Sequence, residues 1–209
     1  MERIKLGLLL AFAAVWIALA INPLYRQDWL LENLLVIIVV PLLVLGNKRM
    51  PFSLPSSMMI FVFFCLHEIG SHYTYSEVPY DQWWKSLTGH SLNAALGWDR
   101  NHYDRLLHLL FGLLITYPMR ETLVRLAGLR GTWSYLLPLA VIMSLSQVYE
   151  LIEWAAALVF GGELGMAYLG TQGDIWDAHK DMALAILGSV AVLLVLSLGN
   201  TRTRFKSAG

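Results

Sequence analysis

Polar residues are so rare in parts of this chain that six apolar stretches stand out on a first pass. They run Leu6–Asn22, Leu30–Gly46 with Pro41 inside it, Phe52–Gly70, Tyr103–Met119, Thr132–Phe160 and Met182–Gly199. The runs are continuous and lack period-2 alternation, which predicts helices and argues against a transmembrane barrel. A helix crosses a hydrocarbon core of about 30 Å with about 20 residues. Most of the stretches reach that length once their flanks are added. The fourth is the least hydrophobic, and a five-span arrangement that leaves it re-entrant stays open. The fifth is overlong for one span. The expectation is an all-α membrane protein, a single domain over residues 1–209 built as a bundle of about six transmembrane helices. Its one substantial loop is 71–102, with Gly, Pro and polar residues and room for short helices.

Composition agrees. The chain is 57% apolar and only 14% charged, against about 25% charged in soluble domains. Net charge is zero, which speaks against a nucleic-acid partner, since such proteins carry a basic stripe. The lone Cys65 sits in an apolar run, so neither an intrachain disulfide nor a paired-cysteine zinc site is available. The start, Met1-Glu-Arg-Ile-Lys5 before an apolar run, resembles a signal peptide, with Ala18-Leu19-Ala20 as a cleavage pattern. The later spans favour a retained first helix.

Lysine and arginine set the orientation. With the amino terminus cytoplasmic, the inside holds Arg3, Lys5, Lys48, Arg49, Arg120, Arg125, Arg130, Arg202, Arg204 and Lys206. The outside holds only Arg26, Lys85, Arg100, Arg105 and Lys180. Both termini are then cytoplasmic. Tyr25, Trp29, Trp83, Trp84, Trp98, Trp154 and Trp176 fall near the outer surface, and Trp133 with Tyr135 near the inner one. Of the acids, only Glu2 and Glu121 are cytoplasmic; the rest lie outside or at outer helix ends.

Those outer acids form four clusters with histidines: His67-Glu68-x-x-x-His72, Asp104-Arg105-x-x-His108, Glu150-x-x-Glu153 and Asp174-x-x-Asp177-x-x-x-Asp181. Residues three or four apart share a helix face. Asp104 therefore projects with His108, and Glu150 with Glu153. Glu68 projects with His72 if the helix continues through Gly70. Asp174, Asp177 and Asp181 make a stripe if the last helix starts early. Carboxylates and imidazoles at membrane depth are costly and mark partners or function. Three readings are open. In the first, a divalent metal such as zinc or manganese is held by Asp104, His108, Glu68, His72, Asp174, Asp177 and Asp181. Glu150 and Glu153 then serve as acid/base groups for a metal-assisted hydrolysis of a lipid or envelope precursor. In the second, the acids mark ion or proton passage, although the cytoplasmic helix halves are almost purely apolar. In the third, the network is structural, with Arg100 and Arg105 paired to carboxylates; two arginines do not balance seven or more acids. His67 and His90 read as hydrogen-bonded interfacial residues, and Glu77, Asp81, Asp99 and Glu163 as solvated loop acids. Ser144 and Ser146 lack a Gly-x-Ser-x-Gly turn, and Gly161-Gly162 and Gly170–Gly173 read as turn residues.

Four segments carry a resemblance over essentially the whole chain: His67-Glu-Ile-Gly-Ser-His-Tyr-Thr-Tyr75, Asn101-His-Tyr-Asp-Arg-Leu-Leu-His108, Tyr149-Glu-Leu-Ile-Glu-Trp154 and Leu169-Gly-Thr-Gln-Gly-Asp-Ile-Trp-Asp177. In them the chain resembles the YjdF-like family of bacterial inner-membrane proteins of unknown function. The resemblance implies an inner-membrane location and no established activity. A second similarity runs to VanZ-like membrane proteins, through Asp104-Arg105 with His108 and through Gln147 with Glu150. There the last helix opens with an acid and later an asparagine, whereas this chain has Asp177 and then Asp181.

Overall fold

Helices account for all the regular structure among the described residues of the computed structural model. The description covers residues 2–206, without the side chains at 163, 164, 167, 168 and 200–206. The expectations for Glu163, Arg202, Arg204 and Lys206 therefore lie outside it. Nine helices follow in order: α1 (Glu2–Leu19), α2 (Arg26–Arg49), α3 (Leu54–His72), α4 (Tyr80–Thr88), α5 (Leu92–Leu96), α6 (Tyr103–Ala127), α7 (Trp133–Phe160), α8 (Gly162–Leu169) and α9 (Asp177–Lys206). Four segments are long and apolar enough to cross a membrane: Arg26–Arg49, Leu54–His72, Trp133–Phe160 and Asp177–Gly199. Two more long helices, α1 and α6, carry charged residues. α1 opens with Glu2, Arg3 and Lys5, and α6 holds Asp104, Arg105, Arg120, Glu121 and Arg125.

The helices outrun the apolar stretches that predicted them. α6 passes Met119 to reach Ala127, and α9 starts at Asp177, not Met182. Hydropathy marks where a segment is apolar, whereas a helix, once nucleated, adds a hydrogen bond per residue into polar flanks. The outer loop holds α4 and α5. The overlong fifth stretch is a single helix, α7, which stops at Gly161 (φ 60°) and is followed by the unanticipated α8.

α6 is the central helix, packed on α3, α7 and α9. Its contact with α9 is a backbone approach. A Cβ on Gly112 would stand 2.1 Å from the Ala185 carbonyl oxygen, and one on Gly188 would stand 2.4 Å from that of Leu109. Small residues let membrane helices come this close, and Thr116 Oγ1 donates to Ser189 Oγ (2.8 Å) in the same seam. α1 and α2 lie on the α3 side of the bundle; α2 packs on α3 and α8. At one end of the bundle, Glu121 of α6 accepts hydrogen bonds from Ser53 N (3.0 Å), Ser53 Oγ (2.9 Å) and Ser56 Oγ at the start of α3. A carboxylate at a helix amino terminus is favourable. At the opposite end, Tyr103 Oη donates to the Leu66 carbonyl (2.8 Å), and Tyr75, Val78, Tyr103 and Leu107 form a buried cluster. Gly70 makes that cluster possible, because a Cβ there would sit 2.7 Å from the Tyr75 ring.

A candidate metal centre beneath an ion-paired rim

The acids of the outer half divide into two tiers. The rim consists of ion pairs. Arg100, just before α6, forks onto Asp177 (2.8 and 3.2 Å) and donates to the carbonyls of Thr171 (2.9 Å) and Gly170 (3.3 Å). A bidentate pair of this kind fixes geometry as well as charge. Arg105 bonds Asp174 (2.5 Å) and Asp177 (2.8 Å), and Lys180 bonds Asp174 (2.5 Å). Lys180 above all, then the Trp176 N–H, holds the Asp174 carboxyl below the usual carboxylate range. The Gln172 side-chain amide accepts from the Asn101 N–H (3.0 Å) and donates to the Asn101 carbonyl (3.1 Å), tying the same loop to the start of α6.

This arrangement corrects two expectations. Asp174 belongs to no helical stripe, because α9 begins at Asp177 and Asp174 lies in the turn before it. Asp174 and Asp177 are also taken by arginine and lysine, which leaves them poorly placed as metal ligands.

Below the rim, Asp104, His108 and Asp181 each present a ligand atom, all within 4.8 Å of one another. His108 Nε2 lies 3.6 Å from Asp104 Oδ1 and 3.4 Å from Glu150 Oε1. These distances are long for hydrogen bonds. They match the spacing of donors around one ion: tetrahedral ligands at about 2.0–2.2 Å sit about 3.4 Å apart. Glu150 Oε1 and Asp181 Oδ1 are buried without a hydrogen-bond partner, and Asp181 is 2% exposed. Glu153 is buried beside them, with Asp104, Glu150, Glu32 and Asp181 as its electrostatic neighbours. No lysine or arginine forms an ion pair with Asp104, Glu150, Glu153 or Asp181 among the described residues.

The third helix supplies less than its spacing suggested. α3 does continue through Gly70 to His72. His72, however, turns to α1, with Nδ1 2.8 Å from the Leu19 carbonyl oxygen. Glu68 is fully buried near Asn33 and Glu32 rather than among the Asp104 ligands. His67 is buried and hydrogen-bonded, its Nδ1 2.5 Å from Tyr75 Oη. The second helix supplies more. Its buried face carries Asp28, Trp29, Glu32 and Asn33. Glu32 accepts from Tyr149 Oη (2.9 Å) and neighbours Asp104, while Thr74 Oγ1 donates to Asp28 (2.6 Å). Trp29 is buried and packs its ring against Trp16. The signal for this face was present in the sequence as Asp28-x-x-x-Glu32-Asn33, an i, i+4 acid pair at the start of an apolar run.

An apolar cavity of about 280 Å³ runs from the cluster between α2, α3, α6 and α7. Asp104, His108 and Tyr149 line its outer end; Phe111, Ile115 and Met119 of α6 continue it inward.

The family model described as "Predicted membrane protein (DUF2238)" matches residues 4–202. The inner membrane protein YjdF of Escherichia coli strain K12 is 38% identical over 173 residues, covering 82% of this chain and 78% of that protein. No solved structure matches the chain. The chain belongs to the DUF2238 family of predicted membrane proteins.

Proposed function

We propose that this protein spans the bacterial inner membrane six times, with both termini cytoplasmic. In this reading its outward-facing cluster holds a divalent metal, zinc or manganese, and acts on the head group of a membrane-resident lipid or envelope precursor. Six helices of 18 residues or more and the bias of lysine and arginine toward one set of loops support the topology. The inner-membrane name of the 38% identical relative supports the location.

One observation carries the metal: His108 Nε2 stands 3.6 and 3.4 Å from Asp104 and Glu150 oxygens, with Asp181 converging on the same point. Carboxylate and imidazole donors suit zinc or manganese. Asp104, His108 and Asp181 are the ligands, from α6 and α9. A metal there would polarise the substrate head group and make a bound water nucleophilic near neutral pH. Glu150 stands on the cluster's α7 side, where it accepts the water's proton, and Glu153 lies one turn further along the same face. Ion passage fits less well, because the cavity continues inward from His108 through Phe111, Ile115 and Met119 and offers no further acid.

Elemental analysis of the purified full chain, loaded with zinc or manganese and washed, tests the reading. About one metal per chain is expected, lost in Asp104→Ala and Asp181→Ala and kept in Asp99→Ala. A wild-type chain that retains no metal rules the reading out.

A further inference from the structure

α2 and α7 face each other across the apolar cavity, yet neither is among the other's principal packing partners. Tyr149 Oη donates to Glu32 (2.9 Å) between them, at the outer end. Leu35, Val39 and Leu43 on α2 line the cavity inward of that bond, and Leu145, Val148 and Ile152 line it on α7, with Ile152 one turn outward of Tyr149. The three α7 residues are 43%, 50% and 44% exposed. The cavity is therefore a groove that opens sideways, through helices that cross a membrane, toward the bilayer. On α6 the lining recurs every three or four residues from Asp104 to Thr122. Those 18 steps span about 27 Å, most of one hydrocarbon thickness of about 30 Å.

We infer that this groove binds one acyl chain of a membrane phospholipid, entering between α2 and α7, with its head group held at the Asp104–His108 end. Water is a poor occupant, because the walls below His108 offer apolar contacts, and a dry apolar cavity takes apolar ligands. A folded partner would have to reach the groove from within the bilayer, where acyl chains are the surrounding solvent. The polar end adds the selectivity that bulk solvent lacks. It lies at the depth where the charge bias puts the outer interface, so a lipid lying in the groove brings its head group to the cluster. The Tyr149–Glu32 bond closes the groove above the chain and separates the tail from the rim. The inference takes from the proposed function only the position of the head group; tail binding does not require the metal.

The test uses the full chain in vesicles of phosphatidylethanolamine and phosphatidylglycerol, doped with a phosphatidylglycerol bearing a diazirine in one acyl chain. Labelled residues are located by mass spectrometry. Phe111 and Ile115 should be labelled more strongly than Leu187 and Val195, although these α9 residues are 58% and 69% exposed and the groove pair is half-buried. Ile115→Trp should lower labelling at Phe111 about tenfold and leave Leu187 unchanged. Labelling confined to Leu187 and Val195 overturns the inference with no variant needed. So does an unlabelled groove in a chain that runs as a dimer, which assigns the face to a second copy. Zinc is measured on the same vesicles. Zinc without groove labelling removes the tail site alone; groove labelling without zinc supports the tail site and removes the metal reading alone.

Discussion

Adding one methyl group at Gly112 should pull the candidate metal centre apart without touching any of its residues. A Cβ there would meet the Ala185 carbonyl oxygen at 2.1 Å, whereas ordinary contact begins at 3.4 Å. The difference, 3.4 − 2.1 = 1.3 Å, must come from separating α6 and α9, because the obstruction is backbone. Asp104 and His108 ride on α6 and Asp181 on α9, with Asp181 one turn from Ala185. Metal sites tolerate ligand displacements of about 0.2 Å, so a shift several times larger should abolish stoichiometric zinc. Forced overpacking costs about 1–3 kcal/mol. The proper control is Gly7→Ala in α1, where a Cβ meets nothing within 4 Å. Both variants gain the same helix propensity of about 0.8–1.0 kcal/mol, so their difference isolates the packing cost. At about 2–4 °C per kcal/mol for a chain of this size, Gly112→Ala should unfold about 2–12 °C below Gly7→Ala. The free, half-buried Cys65 offers the readout, as a thiol dye in detergent reports its exposure on unfolding. Equal unfolding temperatures and equal zinc content in the two variants would refute the reasoning.

Two further outcomes follow from the outer surface. Arg105→Ala strips Asp174 of one of its two 2.5 Å partners, Lys180 being the other, and leaves Asp177 forked to Arg100; a lower unfolding temperature is expected, because a charge-assisted hydrogen bond is lost. Arg105→Lys should recover only part of the loss: one nitrogen serves both carboxylates here, but the ammonium is more strongly hydrated than the guanidinium and loses more on leaving water. Unfolding temperatures in low salt check this, and an Arg105→Lys chain as stable as wild type would contradict it. Asp81 accepts from Asn93 N (2.9 Å) and Ser91 Oγ (2.8 Å), and the Asn93 N–H holds its carboxyl below its ordinary value of 3.8. A depressed folded value means the contribution is complete above 3.8 and disappears as pH falls through the lower folded value. Amide exchange at Asn93 should keep its protection from neutral pH down to about 4 and lose it only in stronger acid. Protection lost near pH 6 would show that the carboxylate is not the cap.

Much of the outer cluster was legible because two regularities reinforced each other. The i, i+4 spacing gave Asp104 and His108 one face, and the lysine and arginine bias gave four helices' acids one depth. What spacing cannot do is choose partners. In the sequence Arg100 follows Asp99 and Arg105 follows Asp104, and neither neighbour is its ion-pair partner. Only the folded chain, with residues 170–174 turned back over α6, commits them to Asp174 and Asp177. His72 was misplaced for the same reason: its helix face was read correctly, but the Leu19 carbonyl that claims it belongs to α1. Glu32 was overlooked because one acid in a run as apolar as Leu30–Gly46 reads as a tolerated exception, whereas with Asp28 it forms the buried stripe of α2.

The partition of arginines is what gives the inner tier its meaning. Had Arg100 or Arg105 turned inward, Asp104 and Asp181 would be a salt-bridged helix clamp and nothing more. Both face the rim instead, where their carboxylate partners are Asp174 and Asp177. Asp104 and Asp181 are left buried beside the His108 imidazole with half-buried Glu150, and Glu153 is buried next to them. Removing such groups from water is costly unless something compensates them. A chain selected only for stability would fill these positions with apolar residues, as it does one and two turns inward at Phe111 and Ile115. Acids kept where leucine would pack better, beside a groove that reaches the bilayer, argue for a site that binds a cation and meets its substrate from the membrane side.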